Sequence, residues 1–284
     1  MNFVYVSDFF LGETNGGAEQ NDDELLAILE SRGHTVEKQK SDSVTQKWLE
    51  ENKDKKFLIS NFIFMFNRMK DKIIELGLDY TIIEHDHKYL VTRDPSYYRE
   101  TDYVAPEGDL RNVNFYNNAN AILCQSALHA EIIFSNLKLD TIFNVGGNLW
   151  KKETLDLLET LIDSAKKENT ASIMRSDTIH KNTKGAIEFC QKKDIDFVLL
   201  EPQSHESFLK EMSENDTFVF FPLTVETLSR IVVEARMMGC KVKTNTNIGA
   251  ATEPWFQLNG KELIDAMREK RNFIPEMIEN IFSE

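Results

Sequence analysis

In the stretch Phe220-Phe221-Pro222-Leu223-Thr224-Val225-Glu226-Thr227-Leu228-Ser229-Arg230-Ile231-Val232-Val233-Glu234-Ala235, an apolar strand-like run ends at Pro222 and helical spacing takes over. Thr227 suits an N-cap, which predicts a helix starting near it. Leu228, Ile231, Val232, Ala235 and Met238 then recur at the intervals of one buried helix face. Glu226 and Glu234 fall on the other side, eight positions apart, with Arg230 midway. On a helix that separation is about 12 Å, enough to set one carboxylate by a ribose and the other by a sugar. Backbone N–H groups at the helix start suit a diphosphate between them. A solvated acidic face has the same spacing, so the stretch speaks first for strand, loop and helix.

That alternation recurs towards both ends, the pattern of parallel sheets covered by helices. Strands are predicted at Phe3–Ser7, Thr35–Gln39, Phe57–Asn61, Tyr80–Glu84, Ala121–Gln125 and Thr141–Val145. A second series follows at Ala171–Arg175, Asp196–Leu200, Thr217–Phe221 and Lys241–Thr244. The first helix is predicted after Gly17, with Gly33 as a left-handed cap. A polar helix from Trp150 to about Asn169 is predicted to link the two series. No solenoid repeat or low-complexity tract interrupts them.

The 284 residues suffice for two domains, and 41% hydrophobic with 28% charged is ordinary for a globular protein. No apolar run approaches the roughly 20 residues that span a bilayer, and the N-terminus reads as a strand rather than a signal peptide. Cys124, Cys190 and Cys240 have no paired spacing, which predicts reduced thiols and a cytoplasmic location. The net charge of −14 argues against a large footprint on a nucleic-acid backbone, while leaving room for a local basic cleft.

Ligands of open α/β sheets bind beyond the carboxyl ends of the strands. Besides the first stretch, that rule selects three loops. In Asn15-Gly16-Gly17, the paired glycines let backbone approach a phosphate or an acceptor with no Cβ in the way. In Ile83-Glu84-His85-Asp86-His87-Lys88-Tyr89, two histidines share a face, but no third ligand accompanies them and no metal site is predicted. In Arg175-Ser176-Asp177-Thr178-Ile179-His180-Lys181-Asn182-Thr183-Lys184-Gly185, cations at a strand end and at the next helix start suit a departing diphosphate. Lys88, Arg93, Arg99 and Arg111, interleaved with Tyr89, Tyr97, Tyr98 and Tyr103, form a candidate acceptor surface for bases or sugar rings.

The first stretch resembles the Glu-x7-Glu signature of retaining GT-B glycosyltransferases, especially those of family 4. The likeness continues through Glu234-Ala235-Arg236-Met237-Met238-Gly239-Cys240-Lys241-Val242 and ends at Gly249-Ala250-Ala251-Thr252-Glu253. Gly16-Gly17-Ala18-Glu19, followed by Leu29 to Val36, looks like the family's N-terminal motif, and Arg175 with Lys184-Gly185 looks like its Arg and Lys-Gly pair. The resemblance implies an α/β protein of GT-B type, two Rossmann-like domains facing across a cleft. It implies a hexosyl- or pentosyltransferase, resembling short viral or phage-type members, whose substrate is a UDP- or GDP-linked sugar and which needs no cofactor.

By the same resemblance, Glu226 touches the donor sugar and Glu234 the ribose, while Thr227, Leu228 and Ser229 offer backbone donors to the phosphates. Arg175 and Lys184 face the leaving group. The loop is longer than the family's, which leaves Lys181 as the alternative to Lys184. The family's sugar-facing histidine corresponds to His85 or His87, with His85 preferred. The implied domains are 1–150 for the acceptor, 151–255 for the nucleotide sugar, and 256–284 as helices packing back on the first. The expected acceptor is a glycan or lipid-linked glycan, without stable membrane insertion. The alternatives are phage DNA carrying hydroxymethylated cytosine and a non-catalytic nucleotide-sugar-binding protein. A Rossmann dehydrogenase would need Gly-x-Gly-x-x-Gly after the first strand, which is missing.

Overall fold

The computed structural model describes residues 1–164 and 167–283. By its contacts the chain forms two compact units, Met1–Leu149 with Lys270–Glu284 (unit 1) and Trp150–Glu269 (unit 2). In unit 1, the strands β1 (Asn2–Ser7), β2 (Thr35–Lys40), β3 (Lys56–Ile59), β4 (Tyr80–Ile83), β5 (Ala121–Cys124) and β6 (Ile142–Asn144) pair in the order β2-β1-β3-β4-β5-β6, all parallel. Its helices up to β6 are α1 (Gly17–Ser31), α2 (Gln46–Glu51), α3 (Asn67–Glu75), α4 (Val113–Asn117) and α5 (Ala127–Leu137).

Helices cover both faces of this sheet, so its inner strands β1, β3, β4 and β5 are buried at consecutive positions rather than alternate ones. Along β1, Phe3 and Tyr5 join one core with Leu25, Leu29 and Leu58, while Val4 and Val6 join another with Phe57, Ile59 and Ile82. The chain places β2 on one side of β1 and β3 on the other. That makes the carboxyl ends of β1 and β3 a switch point, where diverging loops leave room for a ligand.

Unit 2 repeats the scheme. After α6 (Lys152–Ser164) come β7 (Glu168–Met174), α7 (Thr183–Lys193), β8 (Phe197–Leu200), α8 (His205–Ser213), β9 (Asn215–Phe220), α9 (Arg230–Met237) and β10 (Lys241–Thr244). The strand order is β10-β9-β7-β8, again parallel, with its switch point between β7 and β9. The linking helix expected as far as Asn169 ends at Ser164, and β7 already holds Glu168. Residues 165 and 166, which that expectation also covered, lie outside the described residues. Beyond two short 3-10 turns, one long helix, α10 (Gly260–Ile281), ends the chain. Its Leu263, Ile264 and Met267 join the core of unit 2, and Ile274 and Ile278 that of unit 1. No described helix is long and apolar enough to cross a membrane.

Helix α1 carries the polar run Asn21-Asp22-Asp23-Glu24 yet buries Asn21, Asp22 and Glu24 together with Leu25, Leu26 and Leu29. It stops in a Schellman turn, with Gly33 N donating to Glu30 O (2.9 Å) and His34 N to Leu29 O (3.1 Å). Gly33 has φ +87°, and a Cβ added there would meet nothing within 4 Å. A Gly33→Ala substitution therefore isolates the backbone cost of a left-handed alanine, about 1–2 kcal/mol. Thermal melts followed by circular dichroism should show a Tm lower by a few degrees with an unchanged spectrum, and an equal Tm would contradict the cap assignment.

Candidate functional site

At the switch point of unit 2, two loops are stapled together. The loop after β7 turns through Ile179–Lys181 and reaches Asn182, whose φ of +55° is one that asparagine tolerates. Asn182 accepts from Gly185 N (3.1 Å), capping α7, and donates through Nδ2 to Phe221 O (2.8 Å) at the end of β9. Leu223 N donates to His180 O (2.8 Å), fastening the second loop to the first.

The loop after β9 is also held from its other side. Asn245 and Asn247 donate to Pro222 O at 2.8 and 2.7 Å. Glu226 pairs with Ile248 in an isolated parallel bridge, its N donating to Asn247 O (2.8 Å) and its O accepting from Gly249 N (2.9 Å). Leu228 O accepts from Ala250 N (3.0 Å). The backbone of 226–228 is thus held outside any helix, by a bridge at Glu226 and a bend over 227 and 228, which corrects the helix predicted from Thr227. The helix starts at Arg230, and its N-cap is Ser229, at φ 74° and ψ 77°. Glu226 and Glu234 consequently do not share a helix, and the axial spacing of about 12 Å read from the sequence does not apply.

Within this frame Lys181 Nζ lies 2.8 Å from Glu226 Oε1, with side chains 31% and 16% exposed. Lys184 goes elsewhere. It stands on the outer face of α7, paired loosely with Glu188 at 3.7 Å. Arg175, at the end of β7, is exposed and bonded to Glu201 (2.8 Å). Leu228 is buried, and Ser229 Oγ is buried with no partner among the described residues.

Glu234 lies one turn into α9, buried, with its Oε1 accepting from Trp150 Nε1 (2.8 Å) and facing His205 Nε2 (3.1 Å). The Arg230 guanidinium stacks over the Trp150 ring at 4.4 Å. Burial alone would push the Glu234 carboxyl up, yet the charge and hydrogen bond of His205, with Arg230 and Trp150, hold it below its ordinary value. The same contact raises His205, chiefly through the charge on Glu234. His205 and Trp150 carried no sequence signal; they lie 29 and 84 residues from Glu234 in the chain.

In unit 1, Gly16 is the N-cap of α1 and Gly17 its first residue. Gly16 has φ −74°, which any residue adopts, and a Cβ added there would meet the end of the Glu19 side chain at 2.5 Å. His85 follows β4 and joins a buried polar cluster. Its Nε2 faces Asp22 Oδ1 (2.6 Å), its Nδ1 contacts Gln125, and Asp22 Oδ2 accepts from Ser60 Oγ (2.6 Å). Burial works against the Asp22 carboxylate, but the His85 charge and these hydrogen bonds keep its pKa lowered. Beside the cluster is a small cavity lined by His85, Gln125, Asn21 and Asn148, with Asn148 Oδ1 buried and unpartnered among the described residues. Asp22 did carry a signal: it sits three, four and seven residues before Leu25, Leu26 and Leu29, on the buried face of a helix.

His87 turns inward. It is buried edge-on to His129 (4.9 Å) and Tyr89 (5.7 Å), and burial lowers its pKa to about 3. Among the described residues no cluster of three or more His, Cys, Asp or Glu could hold a metal ion. The acceptor surface predicted over 88–111 needs correction. Lys88 is fully buried, bonded to Glu84 and, at 2.9 Å, to Asp86, and Tyr89 is buried beside it. The alternation Glu84, Asp86, Lys88 places both carboxylates beside the ammonium. Lys88 is a core cation, held charged by its carboxylates against the effect of burial. Arg93 is turned onto Asp86 (2.8 Å).

No family model matches the chain, and no curated protein matches it. Solved structures do. Sucrose-phosphate synthase of Thermosynechococcus elongatus is 11% identical over 99% of this chain and 99% of that one, at a TM-score of 0.60. The catalytic domain of starch synthase IV of Arabidopsis thaliana, bound to ADP and acarbose, is 10% identical over 95% and 91%, at 0.59. HepE of Anabaena, in complex with UDP, is 13% identical over 97% and 93%, at 0.56. At such identities the likeness speaks for architecture alone, and the architecture is GT-B.

The Glu234–His205 contact has a definite pH signature. A raised His205 contributes stability below its ordinary pKa of 6.5 that is lost as pH rises through the folded value. A lowered Glu234 contributes stability above 4.5 that is lost as pH falls through the folded value. The contact is therefore strongest between those two limits. An NMR titration of His205 should give a midpoint above 6.5, and Glu234→Gln should bring it to 6.5 or lower. A midpoint insensitive to Glu234→Gln would show that the contact is not formed in solution.

Proposed function

We propose that the chain is a retaining glycosyltransferase of the Glu-x7-Glu type resembling family 4, with unit 2 taking a UDP- or GDP-linked sugar and unit 1 the acceptor. The observation that carries this reading is the contact of Lys181 with Glu226, at the β7/β9 switch point and three residues before the unpartnered Ser229 Oγ. Cation, carboxylate and helix N-terminus at one strand edge suit a ligand with a diphosphate and hydroxyl groups side by side.

In the proposed reaction the bond between the anomeric carbon and the diphosphate oxygen breaks. The acceptor hydroxyl oxygen bonds to that carbon on the same face, and its proton goes to the departing diphosphate. Lys181 and Arg175 stabilise the negative charge that grows on the leaving group, as do the N–H groups at the start of α9 and the Ser229 hydroxyl. Glu226 accepts from hydroxyls of the transferred sugar, and Glu234 from those of the ribose. In unit 1, His85 serves the sugar, and the backbone at Gly16 and Gly17 serves a phosphate or the acceptor.

Lys181, the alternative, is given the role expected of Lys184, since Lys184 is exposed on α7 and engaged with Glu188. The acceptor is read as a glycan or lipid-linked glycan, because burial of Lys88 and Tyr89 removes two groups that a DNA surface over 88–111 would use. The three free, buried cysteines favour a cytoplasmic location.

Two comparisons test these roles. Lys181→Met should lower turnover of the nucleotide sugar by about 10²–10³-fold, the usual loss for one transition-state donor, while Lys184→Met stays near wild type. The opposite ranking in steady-state assays would return the role to Lys184. Calorimetry with bare UDP or GDP should show Glu234→Gln weaker by about 10–100-fold, the range for hydrogen bonds to a charged group, and Glu226→Gln within about twofold of wild type. Equal losses in both would reverse or merge the two assignments, and nucleotide binding without transfer to any acceptor would leave a binding protein.

A further inference from the structure

Unit 1 contains a second, larger cavity, of about 500 Å³, that none of the groups assigned above enters. Its wall is built by the first turns of α3 and by the start of α4 with the residues leading into it: Asn67, Lys70 and Asp71 on one side, Arg111, Asn112 and Asn114 on the other. Lys70 is only 6% exposed. Its Nζ donates to Asn112 Oδ1 (2.9 Å) and Asn67 Oδ1 (3.3 Å) and lies 5.2 Å from the Phe62 ring centroid. All three partners are neutral, and no carboxylate among the described residues comes within ion-pair distance of this buried ammonium. Arg111 is exposed at the cavity wall, and its guanidinium makes no hydrogen bond or ion pair among the described residues.

The amides are equally available. Asn112 Nδ2 is used by Lys88 O (2.8 Å), and Asn114 accepts from Asn118, but the Nδ2 groups of Asn67 and Asn114 donate to nothing among the described residues. A buried lysine commonly has a carboxylate partner, as Lys88 does on the same Phe62 ring. Here the wall offers donors and two cations to the cavity against one carboxylate, Asp71, which is exposed.

We propose that this cavity binds a compact oxyanion, a carboxylate or a phosphate group, between Lys70 and Arg111, with the amides of Asn67 and Asn114 as further donors. A guanidinium and an ammonium converging on one volume are the pairing that such groups take, and the bound anion replaces the missing counter-charge. The ammonium of Lys70 also shows the strain of its setting. Burial first, and the charge of Arg111 second, pull it down to about 8, against the opposing carboxylates of Asp8 and Asp71. On the glycosyltransferase reading the anion belongs to the acceptor, a sugar acid or a sugar phosphate; anion binding itself does not depend on that reading.

The test is a chemical-shift titration of the full chain at pH 7 with inorganic phosphate, D-glucuronate and neutral glucose. Phosphate or glucuronate should shift the side-chain signals of Asn67, Asn112 and Arg111 with saturable, millimolar behaviour, and glucose should not. Saturation by only one of the two anions identifies the group as phosphate or carboxylate. Arg111→Ala, an exposed substitution, and Lys70→Met should each weaken that affinity about tenfold or more. No saturable shift with either anion, an equal shift with glucose, or undiminished affinity in Arg111→Ala would overturn the proposal. UDP is titrated in parallel. Failure of both UDP and GDP, titrated likewise, to bind wild type would tell against the donor reading alone, and an unchanged circular-dichroism melt of Lys70→Met would show that this variant is folded.

Discussion

The order of strands does the positioning in unit 2. Because β9 and β8 are laid down on opposite sides of β7, the loops leaving β7 and β9 emerge side by side and diverge to opposite faces of the sheet. Two short bonds, Leu223 to His180 and Asn182 to Phe221, fix the register of those loops. The contact of Lys181 with Glu226 follows from that register, since neither residue has a strand or long helix of its own to hold it. The same bonds use the polar backbone groups that the loops would otherwise leave unpaired, so local rigidity and satisfied hydrogen bonding are one feature.

The strands were legible because their apolar runs are short, β-rich and regularly spaced, and the candidate loops could be selected because parallel sheets put ligands at one edge. The start of α9 was not legible. Thr227 suits an N-cap by its local properties, but Glu226 and Leu228 hydrogen-bond to residues 247–250, some twenty positions later, and that pairing keeps the chain out of the helix. Ser229 then turns the backbone through a left-handed conformation that a sequence rule would assign to glycine. The choice between Lys181 and Lys184 was hidden for a related reason. It depends on the left-handed Asn182, which ends one turn and starts the next between the two lysines.

Charged residues were the harder class. A carboxylate in an acidic run reads as solvated, yet Asp22 is buried and bonded to His85 and Ser60, and Lys88 is buried between Glu84 and Asp86. Desolvating such groups costs several kcal/mol each, and only a partner of opposite charge with good geometry offsets it. Sequence spacing shows the partner when it is near in the chain, as with Lys88. It does not when the partner arrives 63 residues later, as His85 does for Asp22. Lys70 is the exception that remains after this pairing is done, since its partners are amide oxygens alone.

The difference in burial between the two acid–base contacts of unit 2 bears on which of them a ligand can open. Glu234 is almost wholly buried, and its bonds to Trp150 and His205 replace the water it has lost, so disrupting them would leave a charge stranded. Lys181 and Glu226 keep 31% and 16% of their side-chain surface, and an ion pair that open to solvent is worth at most about 1 kcal/mol. A diphosphate brings more charge to Lys181 than one carboxylate does, and sugar hydroxyls can compensate Glu226 for the partner it gives up. The half-buried pair is therefore the one able to exchange its bonds for those of a substrate, while Glu234 keeps the Oε1 bonds that orient it and can offer only its other oxygen to a ribose.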